Sequence, residues 1–400
     1  MTTGPTNRPQ RTRDDATPPG PAHVTWRTGT VTRRGHHHPG ARELTVRLDV
    51  PLPGIDVVDV RALAYTDLVG DPDTGDRLAL NVSALARGLG TGGYALVAAP
   101  LDTVPADPAP GPGHLVKARY TPLQTMVLGV DEQESPHHEL LRDADDLGGL
   151  PVVVADLHSA LPAVVAGARH AAATAGRPAP RVVYVMTDGG ALPATFSRTV
   201  HTLRESGWLD ATVTVGQAWG GDLEAVTVHT GLLAARHVAD ADLVVVTQGP
   251  GNLGTGTRWG FSGVAAGEAL NAAATLGGRP VASLRVSGAD PRDRHRGISH
   301  HSLTAYGRVA LQPADVVVPH PAPALQDRPG WGNELTARVH DQARTLTPPH
   351  RLVDVDAGTD LLDTLRTSPA RLSTMGRDLD ADPAAFVTAA VAGQHATQLP

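Results

Sequence analysis

At 400 residues the chain can hold two or three domains and bury a substantial core. A net charge of −7 and an aromatic content of 3% exclude the basic, base-stacking surface of a nucleic-acid binder. With no cysteine, the chain can form no disulfide, thiolate nucleophile or cysteine-held metal centre.

Of the 34 basic residues only Lys117 is a lysine, so a Schiff base or a phosphate-binding ammonium has a single candidate. No segment approaches the roughly 18 continuous apolar residues of a membrane span, and the start of the chain lacks the apolar stretch of a signal peptide. The expectation is a soluble cytoplasmic protein without membrane or nucleic-acid partners. Homo-oligomer formation stays open.

In chain order, residues 1–22 are rich in Pro, Thr, Arg and Gly and are expected to form a disordered tail. Residues 23–100 carry short alternating strands between turn signals, the pattern of a small β-barrel or β-sandwich. Within them His36-His37-His38 precede Pro39-Gly40 and read as an exposed turn. Residues 101–124 form a Pro-rich linker. From residue 125 to residue 400 apolar runs alternate with Ala-rich helical segments. The runs fall at residues 126–130, 152–155, 182–186, 212–215, 243–247, 281–286, 316–318 and 352–355. Uninterrupted apolar runs mark parallel strands covered on both faces. A mostly parallel, doubly wound three-layer α/β sheet is the first expectation, and an eight-fold β/α barrel is the alternative. In either fold, ligands sit at the carboxyl ends of the strands.

The loops at those ends carry the chemistry. Gly249-Pro250-Gly251-Asn252-Leu253-Gly254-Thr255-Gly256-Thr257 lies between a strand and a helix expected from about residue 261 to residue 274. Such a turn points free amides, aided by the helix dipole, at an anion. Gly249, Gly251, Gly254, Thr255, Gly256 and Thr257 are therefore candidate anion ligands. Without Lys at the end of the loop it is no Walker loop, and no acid ends a strand about 20 residues later, as a nicotinamide fingerprint requires. A tight structural turn is the plain alternative.

Residues 290–302 hold Arg292, Arg294, Arg296, His295, His300 and His301. The arginines can clamp a phosphate or carboxylate, with Arg294 the chosen candidate. His295 and His300 are candidate acid–base residues. His300 and His301 are adjacent, so a helix would point them about 100° apart, on different faces. Asp156 and His158 follow one strand, and Asp188 and Asp222 follow two others. Asp188 is a candidate catalytic carboxylate, and Asp156, His158 and Asp222 are candidate ligands of a divalent metal ion, the cofactor this reading implies. Helix capping is the plain reading of Asp188 and Asp222. Ser159, Ser197 and Ser302 lack the Gly-x-Ser-x-Gly elbow of a serine hydrolase.

Four stretches carry a resemblance. They are Thr187-Asp188-Gly189-Gly190-Ala191-Leu192-Pro193, Gly220-Gly221-Asp222-Leu223-Glu224-Ala225, the glycine loop, and residues 294–305. The chain resembles a bacterial, largely actinobacterial family catalogued as domain of unknown function 3866, from about Val24 to near the C-terminus. That family has no assigned activity or catalytic residues, so the resemblance implies a relative and no mechanism. The functional expectation is hydrolysis or group transfer on a small phosphate- or carboxylate-bearing substrate, with metal assistance as an option. A dinucleotide-dependent oxidoreductase and a non-catalytic small-molecule binding protein are the alternatives.

Overall fold

The computed structural model describes residues 23–52, 57–90 and 92–399. The tail expected at residues 1–22 lies outside them.

Strands β1 (Trp26–His38), β2 (Ala41–Leu48), β3 (Asp59–Ala64), β4 (Arg77–Asn81) and β5 (Ala95–Pro100) close into a barrel in the order β1-β2-β3-β5-β4. Alternation drives this. Leu44, Val46, Leu48, Leu78 and Leu80 are at most 3% exposed, whereas Arg47 and Arg77 face solvent. Pairing of β4 back onto β1, with Trp26 opposite Asn81, removes the open edges that a sandwich would keep. Strand β1 continues through His38, where the sequence predicts an exposed turn. His38 is 4% exposed, lies with Nε2 2.7 Å from the Thr195 carbonyl and stacks on His201 at 5.0 Å. It pins the barrel to the rest of the molecule.

Strands β6 (Leu115–Lys117) and β7 (Thr125–Val127) form an antiparallel hairpin. The run at residues 126–130 therefore pairs locally and meets the large sheet through one bridge, Gly129 to Glu224. The other seven runs enter that sheet. Its strands are β8 (Pro151–Ala155), β9 (Val182–Thr187), β10 (Ala211–Thr214), β11 (Leu223–Glu224), β12 (Leu243–Gln248) and β13 (Arg279–Ser283). A two-residue antiparallel pair, β14 (Val286–Ser287) and β15 (Gly297–Ile298), stands apart before β16 (Asp315–Pro321) and β17 (Arg351–Ala357) complete it.

The order is β11-β10-β9-β12-β8-β13-β16-β17, eight strands, all parallel. Strands β11 and β17 do not pair, so the sheet is open and the eight-fold barrel is not formed. Consecutive buried residues along β8, β9 and β12 require cover on both faces. Helices Leu161–Thr174 and Pro383–Gln398 form one packed pair, and Val228–His237 with Ala265–Thr275 form another. The first pair approaches backbone to backbone. A Cβ at Gly167 would overlap the Ala390 carbonyl, and one at Gly393 would overlap that of Val164. No helix among the described residues is long and apolar enough to cross a membrane.

Strand order decides which loops meet. Strand β8 sits between β12 and β13, so the loops after these three converge. Strands β9 and β10 follow β8 in the chain, yet β9 lies two positions from it in the sheet and β10 lies three.

Candidate functional site

A cavity of about 410 Å³ opens over the carboxyl ends of β12, β8 and β13. His158 and Ser159 come from the loop after β8, and Gln248 to Asn252 with Gly254 and Gly256 from the loop after β12. Arg285, Arg292, Arg294, His295 and His301 come from the segment after β13, and Ser373, Thr374 and Met375 from a late hairpin. Among the described residues three arginines line this cavity and no carboxylate does.

The glycine loop departs from a simple cradle. Gln248 Nε2 donates to Asn252 Oδ1 at 2.9 Å, and the Ser262 hydroxyl and the Gly263 amide donate to the same oxygen at 3.0 and 3.3 Å. Asn252 thus occupies the start of the helical segment, where a bound anion would otherwise sit. The second half folds on itself: Thr255 N donates to the Gly260 carbonyl, and the hydroxyls of Thr255 and Thr257 lie 3.0 Å apart. Thr255 and Thr257 do not line the cavity, whereas Gly249, Gly251, Gly254 and Gly256 do. The helix itself begins at Ala265, after a short turn at Ser262–Val264.

His158 is held at both nitrogens. Nδ1 lies 3.1 Å from the Tyr184 hydroxyl and Nε2 lies 2.7 Å from Ser197 Oγ. Tyr184 donates onward to the Gln248 carbonyl at 3.2 Å, so it accepts from Nδ1–H, and Nε2 accepts from Ser197. Burial pulls His158 down to about 4, keeping it neutral at pH 7. Ser197 itself is 3% exposed and also caps the helix Arg198–Glu205 by accepting from Val200 N. Ser302 accepts from the Arg285 amide, and Ser159 donates to Thr374.

Asp156 is 2% exposed, and its Oδ2 has no hydrogen-bond partner among the described residues. Burial pushes its carboxyl up to about 6, against the opposing pull of Arg285. Both residues line a small neighbouring cavity of about 30 Å³. Arg285 donates from Nη1 to His301 Nδ1 at 3.2 Å. Arg292 is clamped by Asp290 at 2.9 Å, and Arg377 ties Asp290 to Asp382. Arg294 is exposed and takes part in no ion pair among the described residues.

His295, His300 and His301 form one group, with ring centroids 4.3 to 5.0 Å apart. Burial, reinforced by Arg285, lowers His295 to about 4 and His301 to about 3. Burial, with Arg294 next, also lowers His300. Helical geometry alone would send the two adjacent histidines to different faces. Both stand at the start of the short helix His300–Thr304, and both rings nonetheless reach His295, while Phe261 stacks on His301 at 3.9 Å.

The structure does not bring the remaining carboxylates here. Asp188 accepts from the Gln217 amide at 3.0 Å and stays with the β10 loop. Asp222 accepts from Arg204 and the Thr212 amide at 2.8 and 2.7 Å, at the far side of the sheet. The expected set Asp156, His158 and Asp222 thus shares no single centre, and both His158 nitrogens are already engaged. Motif and spacing do not single out Arg285, Asn252 or Tyr184. An arginine inside the apolar run at residues 281–286 is the one available signal, and it points to the first.

The family described as "Protein of unknown function (DUF3866)" matches residues 61–393, from within β3 to the last helix. No curated protein and no solved structure matches the chain.

Proposed function

The chain belongs to the protein family of unknown function DUF3866, and for it we propose an enzyme that binds a small phosphate- or carboxylate-bearing substrate and acts on it by hydrolysis or group transfer. One observation carries the reading: Arg285, Arg292 and Arg294 converge on a cavity that no carboxylate of the described residues lines. Guanidinium groups match planar and tetrahedral oxyanions bidentately, and an enclosed site strengthens each contact. The placement over the carboxyl ends of central parallel strands is where open α/β sheets take their ligands.

His158 lines the same cavity, and Tyr184 and Ser197 hold its ring at both nitrogens, so it orders that wall of the site. The filled position at Asn252 argues against a pyrophosphate seated on the helix start, and so favours this reading over a dinucleotide enzyme.

Thermal-shift and calorimetric titration with inorganic phosphate, sugar phosphates, nucleotides and dicarboxylates tests the reading. Binding raises the melting temperature by mass action. Arg294→Ala removes an exposed guanidinium without an ion-pair partner among the described residues, and is expected to weaken the best anion about 10-fold without loss of fold. A flat response to every anion would remove the proposal, and binding without turnover would mark a carrier or sensor.

A further inference from the structure

We infer that His295, His300 and His301 bind one divalent transition-metal ion of the zinc class, with its open coordination position toward the cavity. The inference rests on reading that cavity as an anion site, because the anion would complete the coordination shell.

Each of the three imidazoles offers one nitrogen, and the three nitrogens lie within 4.8 Å of one another. Zinc at about 2.0–2.1 Å from each would hold tetrahedral nitrogens ~3.3 Å apart, so the set contracts by no more than about 1.5 Å on loading. A second observation is independent of spacing. His300 Nε2 is buried without a hydrogen-bond partner among the described residues. An orphaned polar atom of that kind is costly unless something binds it.

One of the three imidazoles already has the outer hydrogen bond that orients a metal ligand. Ser299 Oγ lies 2.8 Å from His295 Nδ1, which leaves Nε2 to ligate, and the same oxygen accepts from His301 N at 3.2 Å. Phe261 lies parallel to His301 and fixes its plane. A nitrogen-only set without carboxylate favours zinc, cobalt or nickel over magnesium or calcium. Three protein ligands, two of them lining the cavity, match the open arrangement of catalytic rather than structural zinc.

Arg285 supplies a mechanical consequence. A metal-bound imidazole has no second lone pair, so Arg285 must release His301 Nδ1 when the ion binds. Asp156, with its unpartnered Oδ2, lines the same small cavity as Arg285 and is the group that would receive it.

The test uses the full chain stripped of metal by chelator and titrated with cobalt(II), read by its visible absorption, and with zinc, read by elemental analysis after dialysis. We expect one ion per chain and the intense bands of four-coordinate cobalt. His300→Gln should weaken binding at least about 100-fold, and Ser299→Ala about 10-fold to 100-fold, with far-UV circular dichroism reporting the fold of each. The unmutated protein is decisive without any variant: no cobalt band and no dialysis-stable zinc overturns the site. Retention of binding in a folded His300→Gln variant overturns it too. Inorganic phosphate is titrated in parallel into the metal-free and the metal-loaded protein. Phosphate binding without cobalt binding ends the metal inference and leaves the anion site, and the converse upholds the metal site and removes the anion reading.

Discussion

Lys117 Nζ lies 3.5 Å from Glu224 Oε2 and donates to the carbonyls of Ala218 and Ala225 at 2.9 and 2.8 Å. Its side chain is fully enclosed, and burial lowers it while raising its partner. The chain's one lysine thus staples the β6–β7 hairpin to the sheet edge, and lies outside the lining of the arginine cavity. Lys117→Met leaves Glu224 buried without its cation and should cost about 3–5 kcal/mol in urea unfolding. The Lys117→Met, Glu224→Gln double variant should recover much of that. Equal losses in the single and double variants would contradict a paired role.

His158 sets a pH dependence with a definite sign. Its value in the folded protein is about 4, below the ordinary 6.5, so between those values the unfolded chain binds more protons. Stability from this residue is complete above pH 6.5 and is lost as pH falls toward 4. The full span corresponds to ~3 kcal/mol at most. His158→Gln keeps an acceptor for Ser197 and does not titrate there. Its stability curve should be flatter than that of the unmutated protein over this window, and parallel curves would count against a buried neutral imidazole.

Two glycines near the cavity should separate. A Cβ at Gly190 would overlap the Gly249 carbonyl, whereas at Gly254 the nearest atoms are 4.0 Å away. Gly190→Ala should displace the loop, cost about 1–3 kcal/mol and weaken phosphate binding about 10-fold. Gly254→Ala should bind phosphate as the unmutated protein does. The comparison is read by calorimetry, and the reverse ranking would mean that loop position does not matter to binding.

At the helix crossing, Gly167→Ala and Gly393→Ala should each cost about 3 kcal/mol in thermal or urea unfolding, because each inserts a methyl into a facing carbonyl. Once one substitution has pushed the helices apart, the second finds space. The double variant should therefore cost less than the sum. Strict additivity would indicate that the helices do not share one contact.

Much of the fold is written locally. Runs such as residues 182–186 and 243–247 are apolar without interruption, which in a chain of this length means strands covered on both faces, and β9 and β12 sit where those runs lie. The run at residues 126–130 looks the same, but its neighbour across the turn, residues 115–117, offers an antiparallel partner nearer in sequence. The histidines after β13 are legible as a chemical group. Their convergence is not, because the angle between His300 and His301 on a helix says nothing of where His295, in the turn before β15, comes to lie.

Residue types and their spacing alone established a mostly parallel α/β architecture, a small β domain ahead of it, and loops rich in glycine, arginine and histidine at the strand ends. They also limited lysine chemistry to one position. Closure of the small barrel and opening of the large sheet were decided by strand pairing. Only the tertiary structure decided which loops meet. Strand order is set by long-range pairing, which leaves no local periodic trace, and it places β12 and β13 beside β8 while moving β9 and β10 away. That order gathers Arg285, His158 and the three histidines around one region and leaves Asp188 and Asp222 to local hydrogen bonds.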